Sequence, residues 1–231
     1  MNTESRNRDR VCIAILNRNE EAGLRILIPR IPIKFRDSLF AVDGFSTDSS
    51  LEVLREHQVE TLAQRAGGRG EAMEIAVKFA KDRGFSHIIF ISSDGNENPD
   101  DIGKFLEFLD FDLVIASRML PGAFNEEDVH WFRPRKWANH FFNWLINVKN
   151  RSDFRVSDCL NGFRMFKIES WERLNLDAHG YGIEFQMTLR SITNNLKVTE
   201  FPTHEGNRVG GKSGVKPLQL VIQMLGIWIR G

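Results

Sequence analysis

The sequence predicts an α/β protein, with a mainly parallel sheet flanked by helices in a single domain. Short apolar runs rich in branched residues alternate with segments of helical period, an order typical of parallel sheets with crossover helices. The predicted strands cover residues 11–16, 38–42, 59–62, 87–92 and 112–116. Polar residues end or follow most of these strands, at Asp43, Gln64, Asp94 and Ser117. Because ligands of open α/β sheets bind outside the carboxyl ends of the strands, we expect the functional site at this edge.

The rest of the chain is predicted to complete the same domain. After residue 120 the pattern indicates a loop, a long helix, a strand at 163–168, a helix at 183–195, a strand at 197–201 and a last helix. No repeat divides the chain, nor does any linker rich in Pro, Gly or Ser. We therefore expect a disordered lead-in, one domain and a C-terminal amphipathic helix, at residues 1–10, 11–215 and 216–231 respectively.

The predicted C-terminal helix has an apolar face formed by Leu218, Val221, Ile222, Leu225 and Ile229. This face is compatible with docking on the core, with lying on a membrane, or with pairing in a homo-oligomer. Its longest apolar stretch, residues 218–229, is shorter than the ~20 residues that a membrane-spanning helix needs.

Composition narrows the function classes. The 231 residues are 42% hydrophobic, enough for a full core, and 31 basic residues balance 31 acidic ones, so nonspecific nucleic-acid binding is not expected. Cys12 and Cys159 lie far apart without CxxC spacing, which indicates neither a disulfide framework nor a zinc site. The first ten residues lack the apolar core of a signal peptide. We expect a cytoplasmic protein.

The run from Phe90 to Asp101 is the most informative stretch. Asp94 and Asn96 follow an apolar strand and offer hard oxygen ligands to Mg²⁺ or Mn²⁺. On its own the run is also typical of a polar turn in which Asn98 and Pro99 begin the next helix.

Two further runs lie at predicted strand ends. Asp43 can accept hydrogen bonds from the N–H groups of a nucleobase, although Ser46 beside it is also typical of a helix cap. Gly68 and Gly70 open a helix after Arg65, where glycine allows a phosphate to approach the backbone. The run lacks the third glycine of a dinucleotide fingerprint.

Residues 206–213 match the P-loop expression GxxxxGK[ST]. The context disagrees, because residues 202–205 separate the run from a strand and Pro217 follows it. We interpret it as a loop in which Arg208, Lys212 and Ser213 contact phosphates.

Residues 131–155 combine aromatic and basic side chains. Trp137, Phe141, Leu145 and Val148 fall on one helical face, which is typical of a helix that packs on a core. The remaining aromatic and cationic residues suit a membrane-interface helix or a basic groove for an anionic acceptor, and the sequence leaves these alternatives open.

Seven motifs in order resemble family-2 glycosyltransferases, and among them the dolichyl-phosphate and polyprenyl-phosphate sugar transferases. They are Asn19-Glu20, Asp43-x-x-Ser46-Thr47-Asp48, Gly68-x-Gly70-x-Ala72, Ser92-Ser-Asp94-Gly-Asn96-Glu-Asn-Pro99, Asp112-Leu-Val-Ile-Ala-Ser117-Arg118, Asp158-x-x-x-Gly162-Phe163-Arg164 and Arg208-x-x-Gly211-x-Ser213. Three positions depart from the family pattern: Ser92 replaces the first Asp of the metal motif, Asn161 replaces a Ser and Gly214 replaces a Lys.

The resemblance implies a GT-A fold, a nucleotide-sugar donor and inversion at the transferred sugar. It places the metal on Asp94 and Asn96, and the donor on Asn19, Glu20, Asp43, Arg65, Gly68, Gly70 and Asp94. It also implies catalytic roles for Asp94, Asp158, Arg118 and Arg135, and acceptor or phosphate contacts for Arg118, Arg133, Arg135, Arg208, Lys212 and Ser213.

The acceptor follows from the chemistry of the nucleophile. A phosphate monoester, with a second pKa of ~6, attacks without a catalytic base, whereas a sugar hydroxyl needs one. Asp158 has no adjacent carboxylate, and Arg118, Arg133 and Arg135 suit an acceptor phosphate. We therefore expect transfer to a polyprenyl phosphate by an enzyme at the inner membrane face. The alternatives are transfer to a saccharide hydroxyl in surface polysaccharide synthesis and a catalytically silent nucleotide-binding protein.

Overall fold

A computed structural model describes residues 10–210 and 217–230. Its centre is a seven-stranded sheet in the order β3-β2-β1-β4-β6-β5-β7. The strands are β1 Val11–Asn17, β2 Leu39–Asp43, β3 Glu60–Ala63, β4 His87–Ser92, β5 Leu113–Ser117, β6 Arg164–Lys167 and β7 Val198–Pro202. Only β6 runs antiparallel to its neighbours among the strands described. The predicted α/β class and mainly parallel sheet are confirmed, and each predicted strand lies within two residues of an observed one.

Helices cover both faces of the sheet. They are α1 Glu21–Arg30, α2 Ser50–Glu56, α3 Arg69–Asp82, α4 Pro134–Lys149, α5 Trp171–Leu174, α6 Ile183–Thr193 and α7 Pro217–Arg230, with 3₁₀ segments at Ile33–Ser38, Pro99–Phe108, Glu126–Val129 and Ile168–Ser170. One apolar core lies between the sheet and α3, α4, α6 and α7, and a second lies under α1, α2 and the 3₁₀ segment after β4. Strands buried on both faces explain the continuous apolar runs in the sequence.

Helix α4 does not use the face that the sequence pattern predicts. Its buried residues include Asn139, Phe142 and Ile146, whereas Trp137 and Phe141 are about half exposed. The prediction that Trp137, Phe141, Leu145 and Val148 together face the core is therefore wrong, except for Leu145. Apolar residues lie on both sides of this helix, so periodicity alone could not choose between them.

Part of the surface of helix α7 docks on the core, which is the first of the three arrangements that the sequence left open. Met224 and Ile227 are buried, and the Trp228 indole donates to the Leu145 carbonyl at 2.9 Å. Of the predicted apolar face, Val221 and Leu225 pack against the core, whereas Leu218, Ile222 and Ile229 are exposed, so the predicted face packs only in part. Within residues 10–210 and 217–230, no helix has the length and apolar character needed to span a bilayer.

Candidate active site

An open cleft with a cavity volume of about 160 Å³ lies at the carboxyl ends of β1, β2 and β4. Parallel pairing places Asn17 beside Asp43 and Leu16 beside Ser92, so the three strands end at the same level. The cleft is lined by Leu16, Asn17, Arg18, Glu20, Gln64, Gly68, Arg69, Ala72, Ser92, Ser93, Asp94, Gly180, Tyr181 and Arg208. The site therefore lies at the edge of the sheet that the sequence predicts.

Two carboxylates in the cleft share one guanidinium. Arg208 donates from Nη2 to Asp94 Oδ2 at 2.8 Å and from Nη1 to Glu20 Oε1. Burial raises the pKa of Glu20 to about 7, with Asp94 and Asp48 contributing, although Arg208 acts in the opposite direction. The arrangement concentrates acidic oxygens and a balancing cation where β1 and β4 end.

The loop after β4 is hydrogen-bonded to residues 203–209. Gly95 has φ +75°, a left-handed conformation that favours glycine, and this lets the Gly206 and Val209 N–H groups donate to Asn96 and Asp94 carbonyls at 2.8 and 2.9 Å. Glu97 turns inward and accepts from the Ser92 N–H at 2.6 Å. Burial, with the nearby Asp94, raises the pKa of Glu97 to about 8.

A buried polar network extends from this loop to Asp158. Asn96 Nδ2 donates to Glu205 Oε1 at 3.1 Å, and Glu205 accepts from Arg118 Nη1. Arg118 in turn donates from Nε and Nη2 to the two oxygens of Asp158, at 2.7 and 2.9 Å. Burial by itself would raise the pKa of Asp158, but the Arg118 charge, with hydrogen bonds from Arg118 and Asn139, lowers it below its ordinary value.

This network determines what Arg118 and Asp158 can contact. Asp158 is completely buried, and the Arg118 side chain is 16% exposed. Burial would lower the pKa of Arg118, but Asp158 and Glu205 hold it well above its ordinary value. Asp158 is therefore placed to orient Arg118 rather than to meet an acceptor itself.

Asp43 is buried at the end of β2, where it organises the neighbouring strand end. Its carboxylate accepts from Asn17 Nδ2 at 2.7 Å, from Ser46 Oγ at 2.6 Å and from the Ser46 N–H at 2.9 Å. Asn17 lines the cleft, and its Oδ1 is buried with no hydrogen-bond partner among the described residues. The sequence interpretation missed Asn17, which the rule of polar residues at strand ends would have found.

The other predicted donor residues have mixed positions. Asn19, with φ +54°, accepts from the Thr47 N–H at 2.7 Å and so joins the loops after β1 and β2. Gly68 and Gly70 pack against the backbone of residues 178–179. A Cβ on Gly68 would collide with the His179 carbonyl oxygen, and one on Gly70 with the Ala178 carbonyl oxygen. Arg65 is exposed, and its N–H donates to Glu71.

Predicted acceptor residues at the start of α4 lie outside the cleft. Arg133 pairs with Asp128 at 3.2 Å, and Arg135, whose side chain is 71% exposed, pairs with Glu126. Lys212 and Ser213 lie outside the described residues. Arg208 is the predicted phosphate residue that the structure brings to Asp94.

The side-chain oxygen of Asn96, close to Asp94 in sequence, is a candidate ligand for the predicted metal ion. Asn96 Oδ1 is buried without a hydrogen-bond partner among the described residues, while its Nδ2 is held by Glu205. An amide oxygen in this state, two residues from a carboxylate, has the chemistry of a ligand for a hard divalent cation. In the described part of the chain, no group of three or more His, Cys, Asp or Glu side chains could hold a metal ion, so the metal on Asp94 and Asn96 stays a prediction.

Comparison with known families identifies the family of the chain. Residues 12–174 match the family model described as Glycosyl transferase family 2. The chain belongs to this family. The resemblance drawn from the seven motifs is confirmed.

Curated relatives match this chain at moderate identity. It is 29% identical over 204 residues to the glycosyltransferase AglJ of Haloferax volcanii, covering 84% of this chain and 62% of that protein. It is 28% identical over 153 residues to the undecaprenyl-phosphate mannosyltransferase of Micrococcus luteus, covering 63% and 60%. It is 26% identical over 208 residues to the polyprenol monophosphomannose synthase of Mycolicibacterium smegmatis, covering 84% and 76%. The chain thus spans about three fifths of the first two relatives.

Solved structures confirm the GT-A fold of this glycosyltransferase. Glucosyl-3-phosphoglycerate synthase from Mycobacterium tuberculosis, in complex with Mn²⁺, UDP-glucose and phosphoglyceric acid, superposes with a TM-score of 0.71 at 18% identity, covering 98% of this chain and 81% of that one. The same enzyme with Mn²⁺, UDP and glucosyl-3-phosphoglycerate gives 0.68. At this identity the likeness concerns the fold alone.

Proposed function

We propose that this glycosyltransferase moves a sugar, with inversion, from a nucleotide-diphosphate donor to a polyprenyl phosphate at a membrane surface, with Mg²⁺ or Mn²⁺ as cofactor. The donor binds in the cleft at the ends of β1, β2 and β4. Support comes from two relatives named for undecaprenyl-phosphate and polyprenol-phosphate mannosyl transfer, and from GT-A structures that hold UDP-glucose with Mn²⁺.

The donor half of the proposal is based on the oxygens and cations of the cleft. Asp94 and Asn96 would hold the metal, because the Asn96 Oδ1 is buried in the Asp94 loop and has no hydrogen-bond partner among the described residues. A bound divalent ion stabilises the charge that develops on a leaving diphosphate without a proton transfer. Arg208, which neutralises Asp94 and Glu20, is placed to contact the same phosphates.

Asp158 supports a phosphate acceptor. Its carboxylate is fully buried, accepts four hydrogen bonds from Arg118 and Asn139, and has a lowered pKa. A general base needs access to the acceptor proton and a pKa near the working pH, and Asp158 has neither. A phosphate monoester requires no base at neutral pH.

The observation that carries the acceptor assignment is an exposed aromatic face on α4 and the segment before it. It consists of Trp131, Phe132, Trp137, Phe141 and Trp144, which are 47–93% exposed. Tryptophan and phenylalanine rings next to basic side chains are typical of surfaces that insert into the membrane interface, and Arg133 and Arg135 lie among them.

The loop that leads to the aromatic face contacts the active-site network. The Phe124 N–H donates to the Thr203 carbonyl at 3.1 Å, and the Glu205 N–H donates back to Phe124 at 2.9 Å. From there the chain leads through the capping turn at Asn125 into α4. Under the proposal, a lipid phosphate held at this surface reaches Arg118, the partner of Glu205.

The test measures nucleoside diphosphate release from UDP-, GDP- and dTDP-sugars with Mn²⁺ or Mg²⁺, with and without undecaprenyl phosphate. Release that requires the lipid is expected. Release with saccharide acceptors alone would favour transfer to a hydroxyl, and nucleotide binding without any release would favour a catalytically silent protein.

A second measurement addresses the membrane surface. Sedimentation with phosphatidylglycerol vesicles is expected to fall at least about tenfold in the double variant Trp137→Ser and Trp144→Ser, because each exposed ring loses its transfer to the apolar phase. Ile33→Ser is the matched control, since Ile33 is 83% exposed outside the aromatic face. Equal binding of both variants would contradict the assignment.

A further inference from the structure

Arg69 is a cation inside the donor cleft that the family motifs do not assign. It is the first residue of α3, directly after Gly68, and its side chain is only 15% exposed. Nε donates to Glu184, and Nη2 donates to Ser92 Oγ at 3.2 Å. It therefore lies at the end of β4, beside Asp94 in the lining of the cleft.

The surrounding residues are arranged to hold this guanidinium in place. Glu184, in the first turn of α6, is 5% exposed and pairs with Nε. Gly162 leaves the space that the guanidinium occupies, because a Cβ there would lie 2.0 Å from Arg69 Nη2. Burying a guanidinium is costly unless it is paired, and Glu184 supplies the pairing carboxylate. Together with the space left by Gly162, this pair indicates that the Arg69 side chain has a fixed position.

Ser92 leaves the cleft side of Arg69 without a directly bonded carboxylate. Its hydroxyl accepts from Arg69 and donates to Glu97 Oε1 at 3.3 Å, so a neutral group separates the two charges. The other carboxylates that line the cleft, Glu20 and Asp94, are both paired with Arg208. An anion that enters the cleft would therefore be attracted by the charge of Arg69. It could also accept hydrogen bonds from the guanidinium N–H groups that do not bond to Glu184 or Ser92.

We propose that Arg69 binds the diphosphate of the nucleotide-sugar donor and stabilises the leaving group. In the transfer the bond between the sugar anomeric carbon and the diphosphate oxygen breaks, the acceptor phosphate oxygen forms the new bond, and the released electron pair stays on the nucleoside diphosphate. Arg69 donates hydrogen bonds to that anion and no proton changes place. Part of the charge stabilisation thus comes from a side chain and persists without a metal. The inference rests on the proposed function, because it concerns the same donor.

The test compares nucleotide affinities by isothermal titration calorimetry, in EDTA and in Mn²⁺. The probes are UDP against UMP and GDP against GMP, because the ratio within each pair isolates the second phosphate. In EDTA the wild type is expected to prefer the diphosphate at least about tenfold, the effect of one or two charge-assisted hydrogen bonds. Arg69→Gln should reduce that ratio to less than about threefold.

Two further variants make the result independent of folding defects. Ser92→Asp adds a carboxylate against Arg69 without removing the Glu184 pair, and it should also reduce the ratio in EDTA. Arg83→Gln, at the other end of α3 and in an exposed pair with Glu60, should leave it unchanged. Circular dichroism and thermal melting establish that each variant is folded, and if Arg69→Gln unfolds, Ser92→Asp decides.

Equal ratios in the wild type and in Ser92→Asp, or in a folded Arg69→Gln, would overturn the role of Arg69 while leaving the donor assignment intact. The same holds for a wild type that distinguishes diphosphate from monophosphate only when Mn²⁺ is present. A wild type that binds none of these nucleotides in either condition would overturn the donor itself, and the inference with it.

Discussion

Asp158→Asn tests whether Asp158 acts by holding Arg118. The substitution keeps the size of the side chain and removes its charge. In the wild type Asp158 accepts from the Arg118 N–H, Nε and Nη2 at 2.9, 2.7 and 2.9 Å, and from Asn139 Nδ2 at 2.7 Å. An amide in this place would direct its NH₂ group toward some of these donors and leave the Arg118 charge balanced by Glu205 alone.

The expected cost follows from burial of the pair. Asp158 is fully buried and Arg118 nearly so, and removing one partner of a buried ion pair typically costs about 3–5 kcal/mol because an uncompensated charge remains. We expect Asp158→Asn to lower the free energy of unfolding by this amount at neutral pH. Because the pKa of Asp158 is lowered in the folded state, the difference should persist above about pH 4 and shrink as the pH falls through the lowered folded-state pKa.

Urea denaturation followed by far-UV circular dichroism measures this difference. Asp100→Asn is the matched control, since Asp100 is 71% exposed and pairs with Arg30 at 3.0 Å, and exposed pairs contribute about 0–1 kcal/mol. A loss below about 1 kcal/mol in Asp158→Asn, similar to the control, would refute the reasoning. Asp158 would then be free enough for a direct catalytic role.

Three other predictions concern the cleft and the core. Gly70→Ala should lower the free energy of unfolding by about 1–3 kcal/mol, because the added Cβ would lie 1.9 Å from the Ala178 carbonyl oxygen. Gly103→Ala is the control, since a Cβ there meets nothing within 4 Å. Equal urea midpoints for the two variants would contradict the prediction. Burial raises the pKa of Cys12 to about 12 and that of Cys159 well above its ordinary value, so both thiols should react with a disulfide reagent only after unfolding, and rapid labelling of the folded protein would count against the burial. Asp94→Asn should lower nucleoside diphosphate release at least about 100-fold with an unchanged melting temperature, and retention of most activity would exclude Asp94 from the site.

The sequence predicted β1, β2, β4 and β5 well because these strands are buried on both faces. Runs such as residues 87–92 are continuous in branched and aromatic residues, and β4 begins and ends where the run does. The ends of these strands carry Asp43 and Asp94, so the position of the cleft could also be predicted. Local pattern and topology agree at these points.

Periodicity was insufficient where a helix carries apolar residues on more than one side. In α4 the buried face includes Asn139 and Asn143, whose amides bond to Asp158 and the Ser157 carbonyl, so polar contacts decided the orientation. Glu205 joins Arg118 across 87 positions of sequence, and Arg69 meets Glu184 across 115. No spacing rule predicts such partners, because they depend on how the whole sheet is assembled.

The exposed aromatic face also determines the optical properties of the protein. Of the five tryptophans, Trp131, Trp137 and Trp144 are 93%, 53% and 60% exposed, so most of the indole emission should already resemble that of solvated rings in the native state. Unfolding then changes the spectrum mainly through Trp171 and Trp228, which pack against the core. Conversely, a blue shift when vesicles are added would come from the other three rings, which gives this enzyme a label-free reporter of lipid contact.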